Sequence, residues 1–278
     1  MLKKHFVTFA SRDLQITLRR IKMEAAKIGT FDHIHCFTED MLAPEFRKHF
    51  SSRLWLGTRG FGYWCWKPQI LLQTIQKAQD GDLILYCDAG CEINADGGNV
   101  LQSYFSDAQE SEDGFVVFQL GSPETDPNQF IEERWTKEDL FSYFRVSAND
   151  PIRTSNQIAS GIFLFRVDKK STELIREWRD IYYIDFDLAT DKPSRTKNIE
   201  KFNENRHDQS IFSLLIKQRN VKIRSFCELE RAWNGEPETA RVQPIIAARN
   251  RKFTFFTQKK KQIRRFSRKI RRIFFKVI

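Results

Sequence analysis

One stretch, Gly81-Asp-Leu-Ile-Leu-Tyr-Cys-Asp-Ala-Gly-Cys-Glu-Ile-Asn94, constrains the fold of this 278-residue chain more than any other. Leu83 to Cys87 is a short apolar run of the length that suits a buried strand. It stops at once at Asp88-Ala89-Gly90, so the strand delivers a carboxylate at its carboxyl end. In open α/β sheets that edge is where ligands bind. Gly90 lets the backbone turn there or come close to a ligand. A carboxylate so placed can hold a divalent cation bridging two phosphates, because hard cations take oxygen ligands.

The rest of the chain reads as strands alternating with helices. Lys4 to Ala10 predicts a first strand, and Ser11 an N-cap for the helix over 12–28, where Leu14, Leu18, Ile21 and Ala25 stand at helical spacing. Phe31 to Phe37 predicts a second strand, and this order favours a right-handed parallel unit. Residues 40–65 form an aromatic loop too long for mere connection. Pro68 sits where a helix starts, which predicts one running to Gln79. Further helices are expected over 97–107, 130–145 and 171–183, the second with a capping box at Thr136-Lys-Glu-Asp139. Further strands are expected over 115–120, 162–165 and, as a last core strand, 221–225. Residues 185–205 are polar with few apolar anchors, as a mobile lid or an acceptor-binding loop would be.

Three segments carry candidate chemistry. Trp66 and Lys67 fall at a helix amino end, whose free N–H groups and positive dipole suit phosphate. Trp64 and Trp66 are equally readable as core aromatics. Ser160-Gly161 opens the apolar run Ile162 to Phe165, and a glycine there either marks a bulge or lets a ring approach the backbone. Arg206-His-Asp-Gln-Ser210 precedes an amphipathic helix for which Asp208 is a good N-cap.

The pairing of Gly62-Tyr-Trp-Cys-Trp-Lys-Pro68 with Tyr86-Cys-Asp-Ala-Gly-Cys-Glu92 resembles GT-A fold glycosyltransferases, and within them the bacterial transferases of surface polysaccharides. The resemblance covers the segments around 5–12, 59–94, 158–166 and 206–215. It implies a Rossmann-like mixed sheet flanked by helices. It implies that Phe9, Ala10, Ser11 and Arg12 hold the donor nucleotide, and that Trp66, Lys67, Asp88, Ala89 and Gly90 hold its diphosphate. Ser160 and Gly161 would form the floor of the acceptor site. His207, Asp208 and Gln209 would line the reaction centre, and Trp233-Asn-Gly235 would turn near the donor. The family's acidic motif is Asp-any-Asp. Here its third position is Gly90, so the implied cation, Mn²⁺ or Mg²⁺, would rest on Asp88 with Glu92 as a displaced second ligand.

Charge separates a second region. The chain has 46 Lys and Arg against 36 Asp and Glu. Residues 241–278 hold 14 of the basic residues and no acid, which leaves 32 basic against 36 acidic over 1–240. The sequence therefore divides into a transferase domain, 1–240, and a basic tail, 241–278. Within the tail, 258–278 predicts an amphipathic helix: Ile263, Phe266, Ile270, Ile273, Phe274 and Val277 recur at steps of three and four between Lys and Arg. Such helices lie in an anionic membrane interface. The regular apolar stripe points to lipid and away from nucleic acid. Five cysteines without zinc-type spacing, and an opening with no secretory signal, point to a cytoplasmic protein on the inner face of the cell membrane.

These readings converge on an enzyme that moves a hexose from a nucleotide-sugar, UDP-linked by the family pattern, to a lipid-linked glycan of a capsule or lipopolysaccharide. Asp208 is the base if the reaction inverts. The Asp-Gln pair leans the resemblance toward retention. Gly90 in place of the second acid keeps a different class in view, a scaffold that has the fold without the catalysis.

Overall fold

The structure is a computed structural model and describes residues 2–121, 126–230 and 242–250. The elements run β1 (Lys4–Phe9), α1 (Gln15–Lys27), β2 (His33–Phe37), α2 (Pro44–His49), α3 (Gly60–Tyr63), α4 (Trp66–Ile75), β3 (Leu83–Cys87), β4 (Glu92–Ile93), α5 (Gly98–Glu110), β5 (Phe115–Gln119), α6 (Glu132–Trp135), α7 (Glu138–Tyr143), β6 (Ile158–Arg166), α8 (Lys169–Ile184), α9 (Asp208–Lys217), β7 (Lys222–Ser225) and β8 (Ile245–Ile246). The expected tail helix and the Trp233-Asn-Gly235 turn lie outside the described residues.

Six strands form one mixed sheet in the order β2-β1-β3-β6-β5-β7. β1 is parallel to β2 and β3, and β6 runs antiparallel to both β3 and β5. The expected α/β architecture, a mixed sheet flanked by helices, is therefore the one observed. Alternation along the strands explains both faces. Val7, Phe9, Ile84, Tyr86, Phe163 and Phe165 face one way and pack with α4, α8 and α9. Phe6, Leu83, Leu85, Cys87, Ile162 and Leu164 face the other way and pack with α1 and α5. β3 is buried along its whole length, which is why its sequence is apolar without a break.

Several boundaries depart from the sequence reading for local reasons. The helix expected over 130–145 is two short helices. Thr136 does not cap the second; its hydroxyl donates to the buried Glu132 carboxylate instead. Ser11 does not cap α1; its hydroxyl donates to Asp13. β7 is an edge strand with exposed side chains, not a core strand, because it pairs on one side only, with β5. The 185–205 segment is pinned rather than loose. Lys137 Nζ donates to the carbonyls of Asp187 and Lys192, and the Asp139 carboxylate accepts from the N–H groups of Arg195 and Thr196.

Candidate active site

α3 is a turn of the wrong hand. Residues 60 to 64 all have positive φ, and Phe61 sits at φ 53°, ψ 58°. Tyr63 N–H donates to Arg59 O and Trp64 N–H to Gly60 O, the spacing of a single left-handed helical turn. L-residues resist this hand by about 1–2 kcal/mol each. Gly60 and Gly62 carry two of the five positions without a Cβ, which explains the glycines of the motif. Side-chain contacts hold the rest: Trp66 Nε1–H donates to Gly60 O, and Trp64 stacks on His207 at 5.6 Å. His207 also has a positive φ, 59°. Two strained segments thus lean on each other, and each opens directly into a helix. One helix begins with Trp66-Lys67, the other with Asp208-Gln209.

This geometry turns both first turns inward, toward the carboxyl end of β3. Lys67, 1% exposed, places Nζ 2.5 Å from Asp208 Oδ2, 3.0 Å from Ser160 O and 3.5 Å from Asp88 Oδ1. Ser160 Oγ–H donates to the same Asp208 oxygen at 2.8 Å. Tyr86, two residues before Asp88 and so on the same face of β3, donates its hydroxyl to Asp88 Oδ1 at 2.6 Å. Burial pulls the Lys67 pKa down, but Asp208 and Asp88 outweigh it and leave the ammonium above its usual range. Burial, then Asp88, push Tyr86 well up, so it stays a donor. One ammonium between two carboxylates leaves this cluster one negative charge in excess.

Asp88 is the member that faces outward. Its side chain is 33% exposed, and Oδ2 has no hydrogen-bond partner among the described residues. Gly161 lies beneath it: a Cβ there would stand 3.2 Å from Oδ2. Asp88 N–H donates to Gly161 O, which fixes the turn against β6. Arg20 clamps the far side of the turn, donating to the carbonyls of Ala89 and Cys91. Asn250 N–H donates to Gly90 O. A solvent-open depression of about 390 Å³ beside Asp80, Asp168 and Arg176 contains none of these groups and lies at the other end of β3.

The predicted residues divide accordingly. The structure brings together Lys67, Asp88, Ser160, Gly161, Asp208 and, one residue on, Gln209. Lys67 does not project from the helix end as expected; its protons are already directed at Asp208, Ser160 and Asp88. Asp208 is not an N-cap, since His207 holds that position and the Asp208 carboxylate goes to Lys67. Ser160 is 4% exposed and supports Asp208 instead of facing solvent. His207 is 3% exposed, lies against Tyr63 and Trp64, and donates Nδ1–H to Ala189 O at 2.7 Å; it ties the 185–191 segment to the left-handed turn. Burial lowers its pKa. Trp66 is buried and stacks on Phe9 at 3.9 Å, so neither ring offers a free face. Ala10 is buried too, and Arg12 alone of Phe9 to Arg12 has an exposed side chain, paired with Glu39 at 2.9 Å.

Glu92, the displaced second acid, lies in β4, and its carboxylate accepts from Asn250 Nδ2 at 2.7 Å, four residues beyond β8. Among the described residues no cluster of three or more His, Cys, Asp or Glu side chains could hold a metal. The open Oδ2 of Asp88 and the excess negative charge do fit a cation of the kind held by one carboxylate together with substrate phosphates.

No family model matches the chain, and no curated protein matches it. Several solved structures are similar in shape. A glycosyltransferase involved in glycosylation of the major capsid of PBCV-1 is 11% identical, over 88% of this chain and 91% of that one, with a TM-score of 0.47. The galactosyltransferase LgtC in complex with donor and acceptor sugar analogues is 12% identical over 87% and 86%, at 0.44. Mouse xyloside xylosyltransferase 1 is 9% identical over 87% and 96%, at 0.41.

Sequence reasoning missed four participants. Tyr86 was legible from strand alternation alone. Arg20 had no signal, being one basic residue on an amphipathic helix. Gln157, three residues before Ser160, accepts from Gln209 Nε2 at 2.8 Å across 52 residues, a contact without a local signal. Asp191 accepts from Arg59 (2.9 Å) and Tyr63 (3.1 Å) and closes the 185–205 segment onto α3, a contact that no local pattern announces.

Proposed function

We propose that this protein is a glycosyltransferase that moves a hexose from a nucleotide-sugar to a hydroxyl acceptor. The observation that carries this reading is the half-open Asp88. It stands over Gly161 at the carboxyl end of the central strand, coupled through buried Lys67 to the start of α9. The sequence resemblance of the same segments supports it.

The donor's diphosphate leaves with charge that must be neutralised. A Mg²⁺ or Mn²⁺ ion bound at Asp88 Oδ2 with the diphosphate oxygens would supply that electrostatic stabilisation. Lys67 keeps Asp88 and Asp208 at fixed separation and prevents their mutual repulsion. Asp208 Oδ2 already accepts from Lys67 and Ser160, which suits an anchor better than a base. The reading therefore takes the retaining course. The bond from the anomeric carbon to the phosphate oxygen breaks and a bond to the acceptor oxygen forms on the same face. The acceptor's proton passes to the departing phosphate oxygen, and Gln209 faces the positive sugar carbon. A UDP donor and a lipid-linked glycan acceptor of a capsule or lipopolysaccharide extend the reading from sequence resemblance. So does docking of residues 258–278 on the anionic inner face of the membrane. Asn250, the last described residue before that segment, bonds Gly90, so a surface gripping the tail would hold the Asp88 turn close to lipid-borne acceptors. No helix among the described residues is long and apolar enough to cross a membrane.

The test is nucleotide release from a panel of nucleotide-sugars with and without Mn²⁺. Stimulated release by the wild type, lost in Asp88→Asn at nearly unchanged melting temperature, is the expected result. No binding and no release with any donor would leave a non-catalytic scaffold. Liposome flotation of the full chain against one cut near residue 250 tests the tail; equal binding refutes its role.

A further inference from the structure

Gln157 lies just before β6 and is fully buried. Its Nε2 lies 3.0 Å from Glu132 Oε2, 3.0 Å from Thr136 Oγ1 and 3.3 Å from Ser210 Oγ. Its Oε1 lies 2.8 Å from Gln209 Nε2. The chemistry of Glu132 fixes which end of this amide is which. Glu132 is 0% exposed and accepts from Lys217 Nζ at 2.7 Å and from the hydroxyls of Thr136 and Ser213. A carboxylate so surrounded only accepts, so Gln157 must turn its NH₂ toward it. That leaves the Gln157 carbonyl oxygen facing Gln209. Gln209 must then give its own NH₂ to Gln157.

We infer that Gln157 is a positioning residue that fixes the Gln209 amide with its carbonyl oxygen toward the cleft. The inference rests on the proposed transferase reading for its consequence, but not for its geometry. An amide free to turn would present NH₂ as often as oxygen to the reaction centre. A donor N–H repels a developing positive charge on the sugar carbon, and a carbonyl dipole stabilises it. The buried Glu132–Lys217 pair therefore sets the polarity of a group one residue from Asp208, through a single intervening side chain. Glu132 and Lys217 touch none of the residues around Asp88, and their effect reaches the cleft only as the direction of an amide.

Two measurements on the full chain decide it. The first needs no donor. In ¹⁵N-labelled protein the Gln209 side-chain NH₂ signals are assigned by their loss in Gln209→Ala. They should exchange slowly with solvent in the wild type and at the rate of a free amide in Gln157→Met. Unchanged exchange in a folded Gln157→Met overturns the inference. If that variant fails to fold, Gln157→Asn, too short to reach Gln209, takes its place with the same two outcomes. The second is a double-mutant cycle on nucleotide release from UDP-glucose or UDP-galactose with Mn²⁺. Gln157→Met should lower kcat about tenfold, the rate equivalent of one lost hydrogen bond, and leave the donor KM unchanged. Added to Gln209→Ala it should change kcat less than about twofold, because its effect passes through Gln209. Additive losses, or a loss confined to KM, sink the positioning role. Slow exchange of Gln209 that depends on Gln157, without turnover of either sugar, would uphold the relay and count against the transferase reading.

Discussion

Two acids bracket the same strand. Asp82 stands immediately before Leu83 and Asp88 immediately after Cys87, and both accept hydrogen bonds from within the chain. Every oxygen of Asp82 is used. Oδ1 accepts from Lys3 N–H at 2.9 Å, and Oδ2 from Gln79 N–H at 2.8 Å and His5 Nε2 at 3.2 Å. Burial raises its pKa, but those two N–H groups and His5 outweigh it, so the group lies below the usual carboxylate range. Asp88 gives Oδ1 to Tyr86 and Lys67 and keeps Oδ2 open to solvent. On the proposed reading, the difference separates architecture from function. An acid that ties loops together is saturated within the chain, whereas one meant for a ligand keeps bonding capacity unmet.

The contrast can be broken by exchanging the outcomes of the same substitution. Asp88→Asn should cut nucleotide release about a thousandfold, the scale of losing a charge that stabilises a transition state, with the melting temperature nearly unchanged. Asp82→Asn should do the reverse. Its new NH₂ would meet an N–H donor, and the fold should lose about 1–3 kcal/mol in urea titration while turnover per folded molecule stays at wild-type level. Equal stability losses at the two ends would show that Asp88 is architecture after all. A smaller change sharpens the claim about the open oxygen. Gly161→Ala puts a methyl carbon 3.2 Å from Asp88 Oδ2 and must displace it by a few tenths of an ångström. About a tenfold loss of release is expected, since small misplacements of reacting groups are costly, with no change in the denaturation midpoint. Release unaffected by that methyl would mean that Oδ2 does not face the donor.

The sequence made one end of β3 legible and not the other. Asp88 announced itself because it interrupts an apolar run with a turn, and Gly161 because it precedes another. Residue order announced a helix on each packing face, one through Leu14, Leu18, Ile21 and Ala25 at helical spacing and the other through Pro68 near its start. What it could not give were contacts made across large chain separations. Lys67 meets Asp208 across 141 residues, and Gln157 meets Gln209 across 52. Without those partners Lys67 looked like a free phosphate ligand and Asp208 like a helix cap. Local rules assigned each its commonest local use, and the tertiary pairing overrode it. The burial of His207 went unread for the same reason: a polar residue in a polar motif gives no sign that its ring will lie buried against Tyr63 and Trp64.

The gentlest test uses protons alone, at the Asp82 end. His5 Nδ1 lies 3.0 Å from His35 Nε2, and His33 stands over His5 at 4.8 Å. Burial, then His5 and His33 with a small contribution from Lys77, bring the His35 pKa down to about 4. Burial also lowers His5, against the pull of Asp82 and Asp32 and with that of His33. A histidine depressed in the fold is neutral there and protonates more readily unfolded. Its contribution is complete above pH 6.5 and is lost as pH falls from 6.5 toward about 4. Allowing for its partial exposure, that loss should be roughly 1–2 kcal/mol. Asp82, also depressed, weakens only at more acid pH, as it falls through its own lowered value. Lys67 is raised, so the active-site cluster keeps its ammonium throughout this window. Urea midpoints at pH 7, 5.5 and 4.5 should therefore fall in the wild type and fall less steeply in His35→Gln. Identical slopes in the two proteins would place the acid sensitivity elsewhere and remove the histidines from the comparison.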